Sequence, residues 1–363
     1  MQSKTRIGRC LMGRSVVTIL LMASPLLAVN PATPTYPDHT KLLVTRDPSG
    51  HETPITTPAD WAVRRAHILA HFQSVAGSLP GGERRVRLDV AYGLVTVTPK
   101  FTRRKLTFAT EAGDRVAAWL CIPNELKGKT PAVLCLHQTT RIGKDEPVGL
   151  GGKPNLAYAM ELAERGTVTL SPDYPNFGES KVDPYALGYA SATMKGVWNH
   201  MRAIDLLASL PEVDPDRIGV IGHSLGGHNA IFVAAFDDRI KAVVTSCGFN
   251  DFHHYKGGDI AGWSHAGYLP RLRSVYALNL DQVPFDFPEL LAALAPRPVF
   301  INAPTRDDNF AVAGVDVCVD SARPVYTLLG ARDRLVVAHP DVEHDFPPEV
   351  REAAYRFLDA AMR

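Results

Sequence analysis

Residues 218–230, Ile-Gly-Val-Ile-Gly-His-Ser-Leu-Gly-Gly-His-Asn-Ala, restrict this chain to few folds. The apolar run 218–221 reads as a buried strand. It breaks at Gly222, passes through His223 and Ser224, and meets Gly226 before an Ala/Ile/Phe-rich run of helical character. Gly-x-Ser-x-Gly between a strand and a helix forces the serine onto a sharp turn. Such a turn strains the serine backbone, and the flanking glycines let strand and helix approach without a side-chain clash. The hydroxyl then projects from the carboxyl end of a sheet, and the amide of Leu225, opening the helix, can donate to an oxyanion.

The rest of the chain supplies a sheet to carry that turn. From Pro131 strand and helix signals alternate, which predicts an α/β fold with a mostly parallel twisted sheet and helices on both faces. Strands are expected at 132–136, 167–170, 218–221, 242–245, 299–301 and 335–338. Helices are expected at 156–165, 192–210, 225–236, 287–294 and 349–362, with Asp214-Pro-Asp216 closing the helix before the turn. Before this region, 59–75 has helical periodicity, and alternating patterns at 86–92, 94–98, 105–110 and 116–122 read as strands. Residues 29–115 are therefore expected to form an N-terminal extension packing on the main sheet, and 116–363 the main domain. Two insertions interrupt the alternation: 139–154, rich in Gly and Lys, and the cap-like 248–288, rich in aromatics and histidine. Inserted between sheet strands, the second is expected beside their carboxyl ends, where open α/β sheets bind ligands.

Charge and cysteine content narrow the function classes. A net charge of +1 creates no field for nucleic acid or anionic lipid. The five cysteines show no CxxC or CxxH spacing, so neither a metal site nor a cofactor is expected. Residues 1–28 combine Lys4, Arg6, Arg9 and Arg14 with an apolar stretch ending in small residues, the pattern of a cleaved signal peptide. A secreted or periplasmic location is expected, with no membrane contact after cleavage.

A serine hydroxyl is a weak nucleophile at neutral pH and needs a base, which in turn needs an orienting acid. In a sheet of this order both should follow Ser224 on later loops, acid first. His344 fits the base: it lies in a loop after strand 335–338 and just before the last helix, while its rival His339 sits at the strand end. Strand 299–301 leads into a loop carrying Asp307 and Asp308, either of which can reach an imidazole. The Asn309-Phe310 step after them favours Asp308, with Asp307 as its neighbour. The second oxyanion donor is expected from the turn His137-Gln138-Thr139, from the amide of Gln138 first and Thr139 second. His137 and His223 read as structural groups near the site, and His228 as a packing residue.

With these residues in place, the chain resembles α/β-hydrolases of the dienelactone hydrolase and acetyl xylan esterase-like branch, related to prolyl oligopeptidase catalytic domains. The likeness rests on Leu136-His-Gln-Thr139, Pro172-Asp-Tyr-Pro-Asn-Phe-Gly-Glu-Ser180, the segment from Asp214 to Gly227, and His344-Asp-Phe346. Ser224 stands where dienelactone hydrolases carry a cysteine, and no segment has the length of a β-propeller. The resemblance implies the α/β-hydrolase fold and a serine carboxylester hydrolase with a Ser224–His344–Asp308 triad. It further implies an acyl-enzyme intermediate and small, acetyl-type esters of carbohydrates as substrates. A peptidase or amidase using the same residues is the alternative. A non-catalytic binding module would be expected to lack one of the three, and here all are present in order.

Overall fold

A nine-stranded sheet organises the chain, and the computed structural model describes residues 33–363. The predicted signal peptide, residues 1–28, lies outside the described residues. A short hairpin, β1 (Val44–Arg46) with β2 (Glu52–Pro54), stands apart from the sheet. The sheet strands are β3 (Ala91–Val97), β4 (Phe101–Glu111), β5 (Asp114–Pro123), β6 (Thr130–Leu136) and β7 (Val168–Pro172). They are succeeded by β8 (Val213–His223), β9 (Ile240–Ser246), β10 (Val299–Asn302) and β11 (Leu335–Ala338). Their spatial order is β11-β10-β9-β8-β6-β7-β5-β4-β3. Strands β6 to β11 pair in parallel, whereas β3, β4 and β5 run antiparallel and continue the sheet beyond β7.

Parallel strands covered on both faces must be apolar on both, and the central strands are: every residue from Ile218 to His223 is buried. One core layer lies between the sheet and α1 (Pro58–Ala76), α3 (Ala192–Ser209), α4 (Leu225–Phe236), α6 (Phe287–Ala292) and α7 (Val312–Leu328). The opposite face is covered by α2 (Tyr158–Glu164) and α8 (Pro348–Ala361), through Tyr158, Leu162, Tyr355 and Leu358. A capping box starts α1: Thr57 accepts from the Asp60 amide, Asp60 accepts from the Thr57 amide, and Pro58 occupies the first turn. No helix among the described residues is long and apolar enough to cross a membrane.

The structure departs from expectation in three places. Helix α7 is not signalled by the sequence, because Val312, Val315, Val317, Val319 and Val325 are β-branched and Pro324 lies inside it, all of which lower helix propensity. It forms nonetheless, with Val315, Cys318, Val319, Ala322 and Tyr326 buried. Asp214-Pro-Asp216 does not close α3, which ends at Ser209, but lies in the exposed beginning of β8. Residues 86–90 are not a strand, and β3 starts only at Ala91.

The register aligns the ends of the parallel strands. Leu136 pairs with Gly222, His223 with Ser246, Ser246 with Asn302, and Asn302 with Ala338. One row across the sheet therefore ends β6, β8, β9, β10 and β11 together. The segments leaving these strands, which carry Gln138, Ser224, Cys247, Asp307 and His344, emerge at this shared edge.

Candidate active site

Ser224 holds φ 54° and ψ −116°, a positive φ that only strong surrounding contacts sustain in a residue with a Cβ. Its amide donates to the Ser246 carbonyl at 2.8 Å, and its own carbonyl accepts from the Gly227 amide at 2.8 Å. The two glycines of the motif are required by backbone approach. A Cβ on Gly222 would lie 2.2 Å from the Gly226 oxygen, and one on Gly226 only 1.9 Å from the Leu136 oxygen. The second contact presses the turn after β6, which bears His137 and Gln138, directly onto the serine turn. Leu225 is the first residue of α4, so its amide has no acceptor within the helix and lies at the positive end of the helix dipole.

His137 fixes that turn. Its Nε2 accepts from the Tyr174 amide at 3.0 Å, which leaves the proton on Nδ1, donated to the Gln138 carbonyl at 2.6 Å. Burial pushes the His137 pKa down, so the ring stays neutral and the assignment of one donor and one acceptor holds.

His344 meets Asp307. Its Nδ1 donates to Asp307 Oδ2 at 2.8 Å, and the carboxylate side chain is fully shielded. The other oxygen, Oδ1, accepts from the amides of Asn309 (2.9 Å) and Phe310 (3.0 Å), forming an Asx turn that aims Oδ2 at the imidazole. Burial raises the carboxyl pKa, but the His344 contact and the two amides outweigh it and hold Asp307 below its ordinary value. The structure therefore brings Asp307, and not the expected Asp308, to His344. Asp308 is exposed, and its contact with this region is a backbone carbonyl that accepts from Lys256 Nζ at 2.6 Å. The physical reason is the turn: once Asp307 accepts two forward amides, the following side chain is directed away.

The imidazole is held on its faces as well. His223 packs edge-on against His344 with ring centroids 4.8 Å apart, and Phe310 lies at 6.0 Å. His223 is buried and its pKa is driven well down by desolvation, with the nearby His344 adding to the effect. Its Nδ1 bonds to Ser246 Oγ at 2.8 Å, which also accepts from Asn302 Nδ2 at 2.8 Å. Asn302 reaches on to the Asp345 carbonyl at 2.9 Å, tying the His344 loop to the strand ends. His339, the rival base, is occupied elsewhere: Nδ1 bonds to the Ala303 carbonyl at 2.9 Å and Nε2 lies 3.2 Å from Asp316.

No sequence motif marks Cys247. It follows β9 with φ 46°, and its sulfur shares a 4.8 Å neighbourhood with ligand atoms of Asp307 and His344. Burial, then the Asp307 charge, drives its thiol pKa well up, so it stays protonated and neutral beside the acid. Its position right after a parallel strand is the one signal in the sequence that could have found it.

The cap brings both core and contact residues. Phe249, Phe252 and Trp263 are buried, and His228 packs edge-on to Trp263 at 4.7 Å, the packing role expected of it. Tyr268 reaches over the site to bond Thr139 Oγ1 at 3.0 Å. His344 also borders a pocket of about 850 Å³ lined by Lys153, Asn155, Arg306, Asp308, Glu343 and Asp345. Its wall is rigid: Asn155 donates to Asp345 at 2.6 Å and accepts from Arg351 at 3.0 Å. Such a lining offers hydrogen bonds and charge, with Pro154 and Val342 as its apolar part.

Known proteins resemble this chain in sequence and in fold. A model described as acetyl xylan esterase (AXE1) matches residues 96–256, and one described as glucuronyl esterase, fungi, matches residues 185–330. A Bacillus subtilis protein named as a hydrolase, YtaP, is 30% identical over 258 residues, covering 68% of this chain and 83% of the relative. A 4-O-methyl-glucuronoyl methylesterase of Schizophyllum commune is 25% identical over 77% of this chain and 71% of its own. Among solved structures, a glucuronoyl esterase from Solibacter usitatus superposes with a TM-score of 0.72 at 19% identity, covering 91% of this chain and 99% of its own. The chain belongs to the family of that Bacillus subtilis hydrolase and has the α/β-hydrolase fold, and over part of its length it is similar to acetyl xylan esterases and glucuronyl esterases.

Proposed function

We propose that this protein is a serine hydrolase that cleaves carboxylic esters of carbohydrates through Ser224, His344 and Asp307. The observation that carries the reading is the His344–Asp307 hydrogen bond beside the strained serine turn. Asp307 holds Nδ1 protonated, which leaves Nε2 free to take the Ser224 proton. Ser224 Oγ attacks the ester carbonyl, and the oxyanion is received by the amides of Leu225 and Gln138. The imidazolium then returns its proton to the departing alcohol. Water, deprotonated by the same imidazole, attacks the acyl-enzyme and releases the acid and free serine.

For the acyl part we propose a sugar acid, as in a glucuronoyl ester, in place of the acetyl group that the sequence alone suggests. The pocket beside His344 has room for a sugar ring and presents charged and hydrogen-bonding groups to it. Several relatives that span most of this chain bear the name 4-O-methyl-glucuronoyl methylesterase. An acetyl ester is the second reading, favoured by the acetyl xylan esterase model over residues 96–256. A polymer substrate outside the cell also fits the export signal proposed for residues 1–28.

The test is initial-rate hydrolysis of benzyl glucuronate and methyl glucuronate alongside acetylated xylan and p-nitrophenyl acetate. A higher kcat/KM on the glucuronate esters supports the sugar-acid reading. Efficient deacetylation of xylan with no glucuronate turnover would move the assignment to acetyl esters.

A further inference from the structure

Glu146 is a buried carboxylate in the loop after β6 that the catalytic scheme leaves unused. Its Oε1 accepts two hydrogen bonds at 3.0 Å, from the Gln138 side-chain amide and from the Lys153 backbone amide. The first partner stands on the turn proposed to bind the oxyanion, and the second on the rim of the pocket beside His344. Its other oxygen, Oε2, is buried with no partner among the described residues. A carboxylate held this way costs free energy, so its contribution to stability alone is a poor explanation of its place.

The platform under Glu146 is rigid. Trp119 Nε1 on β5 donates to Asp145 Oδ1 at 2.6 Å, and the Lys144 amide donates to Asp173 Oδ1 at 2.8 Å, beyond the end of β7. Arg103 on β4 donates to the Val148 carbonyl at 2.7 Å. These sheet-anchored contacts bracket Glu146 on both sides in sequence. Gln138 is in turn fixed at two points: its carbonyl by His137 and its side chain by Glu146. An oxyanion donor helps only if it is aimed before the charge develops, because reorganising it during the reaction would consume the gain.

We infer that Glu146 is a positioning residue for the oxyanion turn, holding Gln138 in register with Ser224. The inference rests on the esterase reading proposed for Ser224. It predicts an effect on the transition state rather than on substrate binding. Loss of one oxyanion donor typically costs about 10²–10³ in kcat, and loosening it should cost less, about 10–100-fold.

The experiment compares Glu146→Leu, Glu146→Gln, Gln138→Ala and the double variant Glu146→Leu/Gln138→Ala on the best of the glucuronate and acetate esters, with Ser224→Ala as control. Glu146→Leu should lower kcat about 10–100-fold with KM within about 3-fold of wild type. Glu146→Gln keeps an oxygen acceptor and should restore most of the rate. Gln138→Ala keeps its backbone amide but loses the tether, so it should match Glu146→Leu, and the double variant should be no slower than either. If Glu146→Leu does not fold, Gln138→Ala carries the test alone through its kcat-against-KM split. Serine-dependent turnover with wild-type kcat in Glu146→Leu or Gln138→Ala would overturn this inference alone. Turnover surviving in Ser224→Ala would overturn the esterase reading and this inference with it.

Discussion

Replacing Asp307 by Asn separates the two neighbouring aspartates of the β10 loop and tests the geometry of the imidazole. Asn keeps an oxygen that can accept from the Asn309 and Phe310 amides, so the turn itself should persist. The atom facing His344 changes. An NH₂ in place of Oδ2 donates to Nδ1, so the ring must carry its proton on Nε2, the nitrogen that has to receive the Ser224 proton. A triad with the wrong tautomer loses about 10⁴ in kcat, equivalent to about 5 kcal/mol of transition-state stabilisation. The fold should lose far less, about 1–2 kcal/mol, because one charge-assisted hydrogen bond becomes a neutral one. Asp308→Asn removes an exposed charge and should leave kcat within about 2-fold. The assay is kcat on a chromogenic short ester, with thermal unfolding as a check on folding. A folded Asp307→Asn variant with more than about a tenth of wild-type kcat, or a collapse of rate in Asp308→Asn, would refute the argument, since a correctly seated base tolerates neither result.

Two further outcomes concern stability. Ser224 stores backbone strain at φ 54°, so Ser224→Gly should abolish turnover yet raise unfolding free energy by about 1 kcal/mol, seen as a higher Tm; an unchanged or lower Tm would contradict the strain. Burial lowers the pKa of His71 to about 4 and of His200 and His228 to about 3, so the unfolded chain binds the extra protons as pH falls below about 6.5. The stability these neutral rings contribute is therefore present above that pH and lost on acidification, with a slope of about 4 kcal/mol per pH unit from the three together while all remain neutral in the fold. His200→Gln should cut this slope by about a third in urea unfolding between pH 6 and 4, and an unchanged slope would contradict the assignment.

The parallel half of the sheet was readable because strands buried on both faces must be short apolar runs, as at 218–221 and 299–301. The serine turn was readable because close backbone approach at Gly222 and Gly226 excludes any side chain, which leaves a rigid local pattern. Helix α7 was not, since its β-branched residues and Pro324 oppose the helix that packing imposes. Choosing between Asp307 and Asp308 was likewise beyond a linear pattern: a single Asx turn decides which carboxylate faces His344, and its acceptor is set by the folded loop. Cys247 meets Asp307 and His344 from positions distant in sequence, and Glu146 meets Gln138 and Lys153 only through the fold of its own loop, so no motif marks either.

The central claim is that Ser224 is the nucleophile activated by His344. A fluorophosphonate reacts with such a serine and reports it without any assumption about substrate. Intact-mass analysis, then peptide mapping, should show one phosphonyl adduct per chain, on Ser224, absent from Ser224→Ala and formed at a small fraction of the rate in His344→Ala. An adduct on another residue, or equal labelling of wild type and His344→Ala, would contradict the account.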